Sequence, residues 1–211
     1  MSDTLSRILT KFNATPSRAP ITLPICREGL AALFAELNFN RGAEIGVERG
    51  IFSATLCKAN PNLHLSCIDA WRAYRDYKDH TNQSKLDRFH AETVTRLAPY
   101  DCEIIRDWSL EAVKKFEDGS LDWVYVDGNH NFQNVTNDII EWSKKVRPGG
   151  IIAGHDYVQH GPKIGCHVKQ VVDCYTYCYG IKPLFIITHG EGNADVYPEG
   201  NAFPSWMWVK P

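Results

Sequence analysis

The sequence holds no apolar run approaching the ~18 residues that a membrane-spanning helix needs, so no span is expected. Its opening stretch, MSDTLSRILTKFNATPSRAP, lacks the long apolar segment of a secretion signal. Neither sign of charge is in excess: 23 Lys+Arg face 25 Asp+Glu, a net of −2. A general electrostatic pull toward nucleic acid or an anionic membrane is therefore not expected. The seven cysteines (Cys26, Cys57, Cys67, Cys102, Cys166, Cys174 and Cys178) include no C-x-x-C pair, which leaves zinc ribbons and thioredoxin-type sites without support. Reduced, buried thiols in a cytoplasmic protein are the expectation. Cys174 and Cys178, four apart, are expected to pack on one helix face rather than bind metal.

What is present is the composition of a globular protein. At 211 residues, with 44% hydrophobic and 23% charged, the chain can bury one sizeable core. Residues 1–39 read as an N-terminal helical cap and 40–211 as the main domain. The cap pairs a short amphipathic helix (Leu5, Ile8, Leu9, Phe12) with a second over Arg27–Leu37, joined through a Pro/Ser turn between Pro16 and Pro20.

From Ala43 strands and helices alternate. Strands are expected at Ala43–Val47, Leu63–Ile68, Glu103–Arg106, Leu121–Val126, Ile151–Gly154, Leu184–Thr188 and Trp206–Val209. Helices are expected at Ile51–Ala59, Ser84–Leu97, Leu110–Phe116, Gln133–Val146 and Val168–Tyr177, the fourth stopped by Pro148-Gly149-Gly150. Such alternation implies βαβ units, a parallel sheet and helices on both faces. The last two strands lack a helix between them, which suggests a hairpin with the seventh strand antiparallel.

Chemistry collects at the strand ends, where open α/β sheets bind ligands. Val126-Asp127-Gly128-Asn129-His130 and Gly154-His155-Asp156-Tyr157 each place acidic and imidazole groups there. The first strand runs into Glu44-Ile45-Gly46-Val47-Glu48-Arg49-Gly50. A dinucleotide fingerprint would have glycine where Glu44 stands. A carboxylate there repels pyrophosphate but suits a ligand carrying positive charge; the plainer reading is a surface glutamate beside a turn. Asp69 ends the second strand and can accept from both hydroxyls of a ribose, or cap a helix. Asp107, Trp108 and Ser109 follow the third strand. They can flank an adenine, with Trp108 on its face, or cap the next helix.

The motifs EIGVERG, IDAW, RDWS, VYVDGNH and RPGGIIAGHDY resemble those of class I S-adenosylmethionine-dependent methyltransferases. The similarity is to the bacterial small-molecule O-methyltransferases related to catechol O-methyltransferase and to the macrolide-sugar enzymes, over roughly residues 40–210. It implies a Rossmann-like doubly wound seven-stranded sheet of order 3-2-1-4-5-7-6 with strand seven reversed. By the same resemblance Glu44, Gly46 and Gly50 shape the methionine end of the cofactor pocket, Asp69 takes the ribose, and Asp107, Trp108 and Ser109 lie by the adenine. The catechol enzyme binds the cofactor carboxylate with a serine two residues past its second glycine; here that place is Phe52, with Ser53 next to it.

Metal-dependent relatives hold a divalent ion with an acid after strand four and a ligand pair after strand five. Asp127, His155 and Asp156 match those places. The ion, magnesium or manganese, would lower the pKa of an acceptor hydroxyl. His155 departs from the all-oxygen shell that magnesium prefers. A metal-free site with a histidine base, and a purely structural pair, are the other readings. His130 stands where the catechol enzyme has its lysine base, and an imidazole can take a proton near neutral pH. Trp71, Tyr74, Tyr77, His80 and His160 can form a lid or pack locally. The expected activity is methyl transfer to a small-molecule hydroxyl, with a homodimer contact open at the N-terminal helix. The alternatives are a metal-independent N- or C-methyltransferase, a nucleotide-binding oxidoreductase, which Glu44 disfavours, and a non-catalytic cofactor-binding scaffold.

Overall fold

The computed structural model describes residues 3–74, 82–159, 165–188 and 203–211. Its elements in chain order are α1 (Asp3–Lys11), β1 (Ile21–Leu23), α2 (Arg27–Glu36), β2 (Arg41–Ile45), α3 (Ile51–Ala59), β3 (His64–Asp69), α4 (Gln83–Leu97), β4 (Cys102–Arg106) and α5 (Ser109–Ala112), which tightens into a 3-10 turn at Val113–Lys115. Then come β5 (Leu121–Val126), α6 (Phe132–Lys145), β6 (Val146–Gly154), α7 (Val168–Cys178), β7 (Phe185–Ile187) and β8 (Ser205–Val209).

The strands make one sheet of order β1-β7-β8-β6-β5-β2-β3-β4. Neighbours are parallel except β8, which runs antiparallel to both β6 and β7. The seven strands read from sequence therefore take the order 3-2-1-4-5-7-6 with the last reversed. The sheet differs from that expectation at its edge. Ile21–Leu23, to which the sequence assigns no element, adds an eighth strand, parallel to β7. Its pairing is with residues far along the chain: the Ile21 N–H donates to the Leu184 carbonyl at 2.8 Å and the Thr188 N–H to that of Leu23 at 3.2 Å. The flanking Pro20 and Pro24 are tolerated because the strand is at an edge. A second difference is that β6 starts at Val146 and runs through Pro148-Gly149-Gly150. The chain does not stop there because the register slips between Leu121 and Trp123, and Gly149 and Gly150 bond to the backbone of Lys210.

Alternation along the central strands sorts the core into two layers. Trp123 and Tyr125 face α1–α4, packing with Ile8, Phe34, Phe52 and Leu86. Val124 and Val126 face α5–α7, with Ile139, Trp142 and Val172. Phe34 stacks on Trp123 with ring centroids 4.7 Å apart. Each such fully buried large side chain contributes about 1.5–3 kcal/mol relative to exposure. Cys57 and Cys67 are buried as expected, but Cys174 and Cys178 are exposed on α7, with their sulfurs 4.0 Å apart. Their side of the helix is turned from the stripe that Val168, Val171 and Val172 bury.

Candidate active site

The sheet register brings the strand ends into one row. Ile45 is level with Ile68 on one side and with Val126 on the other, and Val126 is level with Gly154. The row continues one residue further: the Gly46 N–H donates to the Ile68 carbonyl, that of Asp127 to Ile45 and that of His155 to Val126. The residues immediately after β2, β5 and β6 are thus held side by side by ladder-type bonds. Gly46 makes this possible. Its φ is +90°, and a Cβ there would stand 2.0 Å from the Asp127 carbonyl oxygen.

Asp69 ties the next two loops together. Its Oδ2 accepts from the Glu48 N–H at 2.9 Å and its Oδ1 from the Trp71 N–H at 2.8 Å. Trp71 is buried, its indole N–H donating to the Glu48 carbonyl at 2.7 Å, so it is a wall rather than a lid. Glu44 and Ser53 point to the α3 face of the sheet, where the Ser53 hydroxyl donates to Glu44 Oε2 at 2.5 Å. Both are buried. Burial pushes the Glu44 carboxyl up to about 8, against the lowering effect of the Ser53 bond.

Past β4, Asp107 accepts from the Trp108 N–H at 2.9 Å and from Lys115 at 3.1 Å. Trp108 stays 38% exposed, enough to offer a ring face. Tyr74 meets it edge-on at 5.2 Å, and the Tyr74 hydroxyl accepts from Asn129 Nδ2 at 2.8 Å. This pair of contacts spans from the end of β4 to the end of β5. Tyr77, His80 and His160 lie outside the described residues. Ser109 Oγ accepts from the Trp142 indole at 2.8 Å and donates to Asp138 Oδ1 at 2.5 Å.

Beyond β5 and β6 the titratable groups converge. His130 Nε2 lies 3.0 Å from Asp156 Oδ2 and 3.7 Å from Asp127 Oδ1. One donor atom from each of Asp127, His130 and Asp156 falls within 4.8 Å of the others, a spacing that can hold a metal ion. His155 flanks this trio, its Nδ1 3.3 Å from Asp156 and 3.7 Å from Asp127. The trio takes in His130 beside the two acids, and His155 approaches the same two carboxylates. Asp156, at φ +57°, has one carboxylate oxygen near each imidazole, and Asn131 caps α6 through the Asn134 N–H at 2.9 Å, fixing the loop that carries His130. Burial alone would lower the His130 pKa, but hydrogen bonds to Asp127 and Asp156 prevail and push it up to about 10. His155 moves the same way: burial opposes, and the Asp127 charge and the Asp156 bond raise it. Burial likewise works against the Asp156 anion, yet the two imidazoles hold its carboxyl well below the usual range.

Asp127 and His130 border a cavity of about 630 Å³ whose wall also includes Gly46, Asp69, Trp108 and Asp138. That volume falls in the ~300–1,000 Å³ range of small-molecule and cofactor sites. The family model of a methyltransferase domain matches residues 43–157, from the first central strand to just beyond Asp156. The chain belongs to the methyltransferase-domain family.

The methyltransferase shares its fold with solved structures at low identity. One is the O-methyltransferase TomG from Streptomyces achromogenes, involved in tomaymycin synthesis, in complex with SAM: 18% identity, TM-score 0.60, covering 100% of this chain and 91% of that one. Another is a putative caffeoyl-CoA O-methyltransferase from Staphylococcus aureus, at 14% and 0.60, covering 99% and 93%. A third is an O-methyltransferase from Bacillus cereus in complex with SAH, at 15% and 0.57, covering 100% and 92%. No curated protein sequence matches the chain. The likenesses establish the class I methyltransferase fold. Among the described residues of this methyltransferase, no helix is long and apolar enough to cross a membrane.

Two residues of the site escaped the sequence reading. Arg27, at the start of α2, reaches Asp127 Oδ2 at 3.4 Å with its guanidinium over the Phe52 ring at 5.0 Å. No local pattern announces a contact 100 residues away. Asp138 did leave a signal. It shares the buried stripe of α6 with Val135, Ile139 and Trp142, and a carboxyl on an apolar stripe asks for a partner.

Proposed function

We propose that this methyltransferase moves the methyl group of S-adenosylmethionine to a hydroxyl of a small-molecule acceptor, with a divalent cation at Asp127, His130 and Asp156. The observation that carries the reading is the convergence of those three donor atoms within 4.8 Å beside a cavity that also presents Gly46 and Asp69. When bound, the sulfonium supplies an electrophilic methyl, and a divalent cation lowers the pKa of an acceptor hydroxyl.

The chain's own groups provide the rest. Asp69 meets the ribose hydroxyls. Glu44, Gly46, Gly50 and Ser53 shape the methionine end, and Asp107, Trp108 and Ser109 line the adenine end. His130 Nε2, between the Asp127 and Asp156 carboxylates, holds a proton when no cation is bound and must give it up to bind one. Tyr74, tied to Asn129 and Trp108, shields the cavity from water. Residues 1–39 act as a cap that delivers Arg27 to Asp127. Two carboxylates and an imidazole suit manganese, iron or zinc better than magnesium, whose shell is oxygen.

The test combines binding and turnover. Electron paramagnetic resonance of Mn²⁺ titrated into the wild-type protein should show one bound ion, lost in Asp127→Ala and weakened in His130→Ala. Methyl transfer screened against catechols and glycosides should stop with EDTA and return with manganese. Turnover indifferent to EDTA, with no bound Mn²⁺ signal, would refute the metal-assisted reading.

A further inference from the structure

Asp138 is a buried carboxyl in the cavity wall to which the catalytic reading assigns no task. It is 4% exposed, and its single hydrogen bond among the described residues runs from Ser109 Oγ to Oδ1. The other oxygen, Oδ2, lies toward Gly128, 3.6 Å from where a Cβ on that glycine would sit. Gly128 and Asp138 both line the cavity. Oδ2 thus has no donor among the described residues and is left to accept one from a ligand in the cavity.

The order of the strand ends says which part of a ligand comes here. Asp69 ends β3, which lies between β2 and β4. The Asp127–His130–Asp156 cluster is beyond β5 and β6, on one side of Asp69. Trp108 and Ser109, beyond β4, are on the other, and the Ser109 bond places Asp138 of α6 between the end of β4 and Gly128 at the end of β5. A nucleoside held by its ribose at Asp69, with its reactive end toward the cluster, must direct its base toward Trp108 and Asp138. We propose that Asp138 is the residue that selects a 6-aminopurine, its Oδ2 accepting a hydrogen bond from the exocyclic amino group. This rests on the S-adenosylmethionine reading above and extends it to a residue that the sequence motifs had left out. Asp107 and Ser109 fit the task less well. Asp107 already accepts from Trp108 and Lys115, and the Ser109 hydroxyl is engaged with Trp142 and with Asp138 itself.

Calorimetry with two probes tests the assignment: S-adenosylhomocysteine, and its analogue with hydrogen in place of the 6-amino group. At pH 8.5, where the Asp138 carboxyl is ionised, the wild-type protein should bind the adenine compound about 10- to 100-fold more tightly, as expected for one hydrogen bond to a charged group. Asp138→Asn keeps an acceptor for Ser109 but turns an amide N–H₂ toward the amino group, so the preference should fall to within about threefold of unity. Asp138→Ser, which withdraws the cavity-side oxygen, should lose it as well, and serves if the asparagine variant does not fold. Equal binding of the two probes by the wild type overturns the proposal. So does a preference that survives in either folded variant. Failure of the wild type to bind either probe refutes the S-adenosylmethionine reading instead, and this inference falls with it.

Discussion

Replacing Gly46 by alanine strikes the join between the β2 and β5 strand ends. Two costs combine there. A φ of +90° lies outside the left-handed well that side chains tolerate, a penalty of about 1–2 kcal/mol. The added Cβ would also stand 2.0 Å from the Asp127 carbonyl oxygen, 2.4 Å from its carbon and 2.7 Å from the Gly128 nitrogen. Those are backbone atoms, so no rotamer relieves the clash. Either the ladder bond from the Asp127 N–H to Ile45, 2.7 Å long, is lost or the β5 end moves. A total of about 3–5 kcal/mol is expected, in the range of severe core changes. For a chain of this length that lowers Tm by roughly 6–20 °C. Gly180→Ala is the matched control. Its φ is +63° and nothing lies within 4 Å of the Cβ, so only the conformational cost of about 1 kcal/mol remains. Differential scanning calorimetry of the two variants separates strain from collision. Equal Tm losses, or a Gly46→Ala protein that keeps wild-type affinity for S-adenosylhomocysteine, would refute the claim that this contact sets the site.

Glu44 makes stability depend on pH. Its folded pKa of about 8 exceeds the unfolded 4.5. Its contribution is therefore fully present below pH 4.5 and is lost as pH rises toward 8, by up to about 5 kcal/mol. Glu44→Gln should flatten the fall in urea midpoint between pH 5.5 and 8.5; a slope as steep as wild type contradicts the burial. Asp138, raised to about 7, keeps the same sign in that variant, so a residual slope remains. Arg27→Met removes a partly buried partner of Asp127 and should cost about 3 kcal/mol in chemical denaturation, at the low end for a broken buried pair because the contact is long; a loss below about 0.5 kcal/mol would show the ion pair to be incidental.

The sheet was legible because its signals are local. Helices such as Ile51–Ala59 and strands such as Leu121–Val126 were bounded by Asn-Pro, Asp-Gly and Gly-Gly punctuation, and their alternation dictates the topology. Ile21–Leu23 was not legible, since three residues between prolines become a strand only through β7, far along the chain. In the site, Asp127 and Asp156 followed from strand ends. That His130 and His155 both meet Asp156 did not, because spacing in a non-helical loop does not fix side-chain direction. Arg27 depends on how α2 docks onto the sheet. Asp138 was visible as a polar residue in an apolar stripe, but its role needs the position of Ser109.

The central claim, that the row of strand ends holds an S-adenosyl cofactor at Asp69, is tested most directly by titrating S-adenosylhomocysteine into the wild-type protein and into Asp69→Ala in a calorimeter. Saturable one-site binding, weakened about tenfold or more in the variant, is the expected result. No heat and no shift in Tm for the wild type, or equal affinity in both proteins, would contradict it.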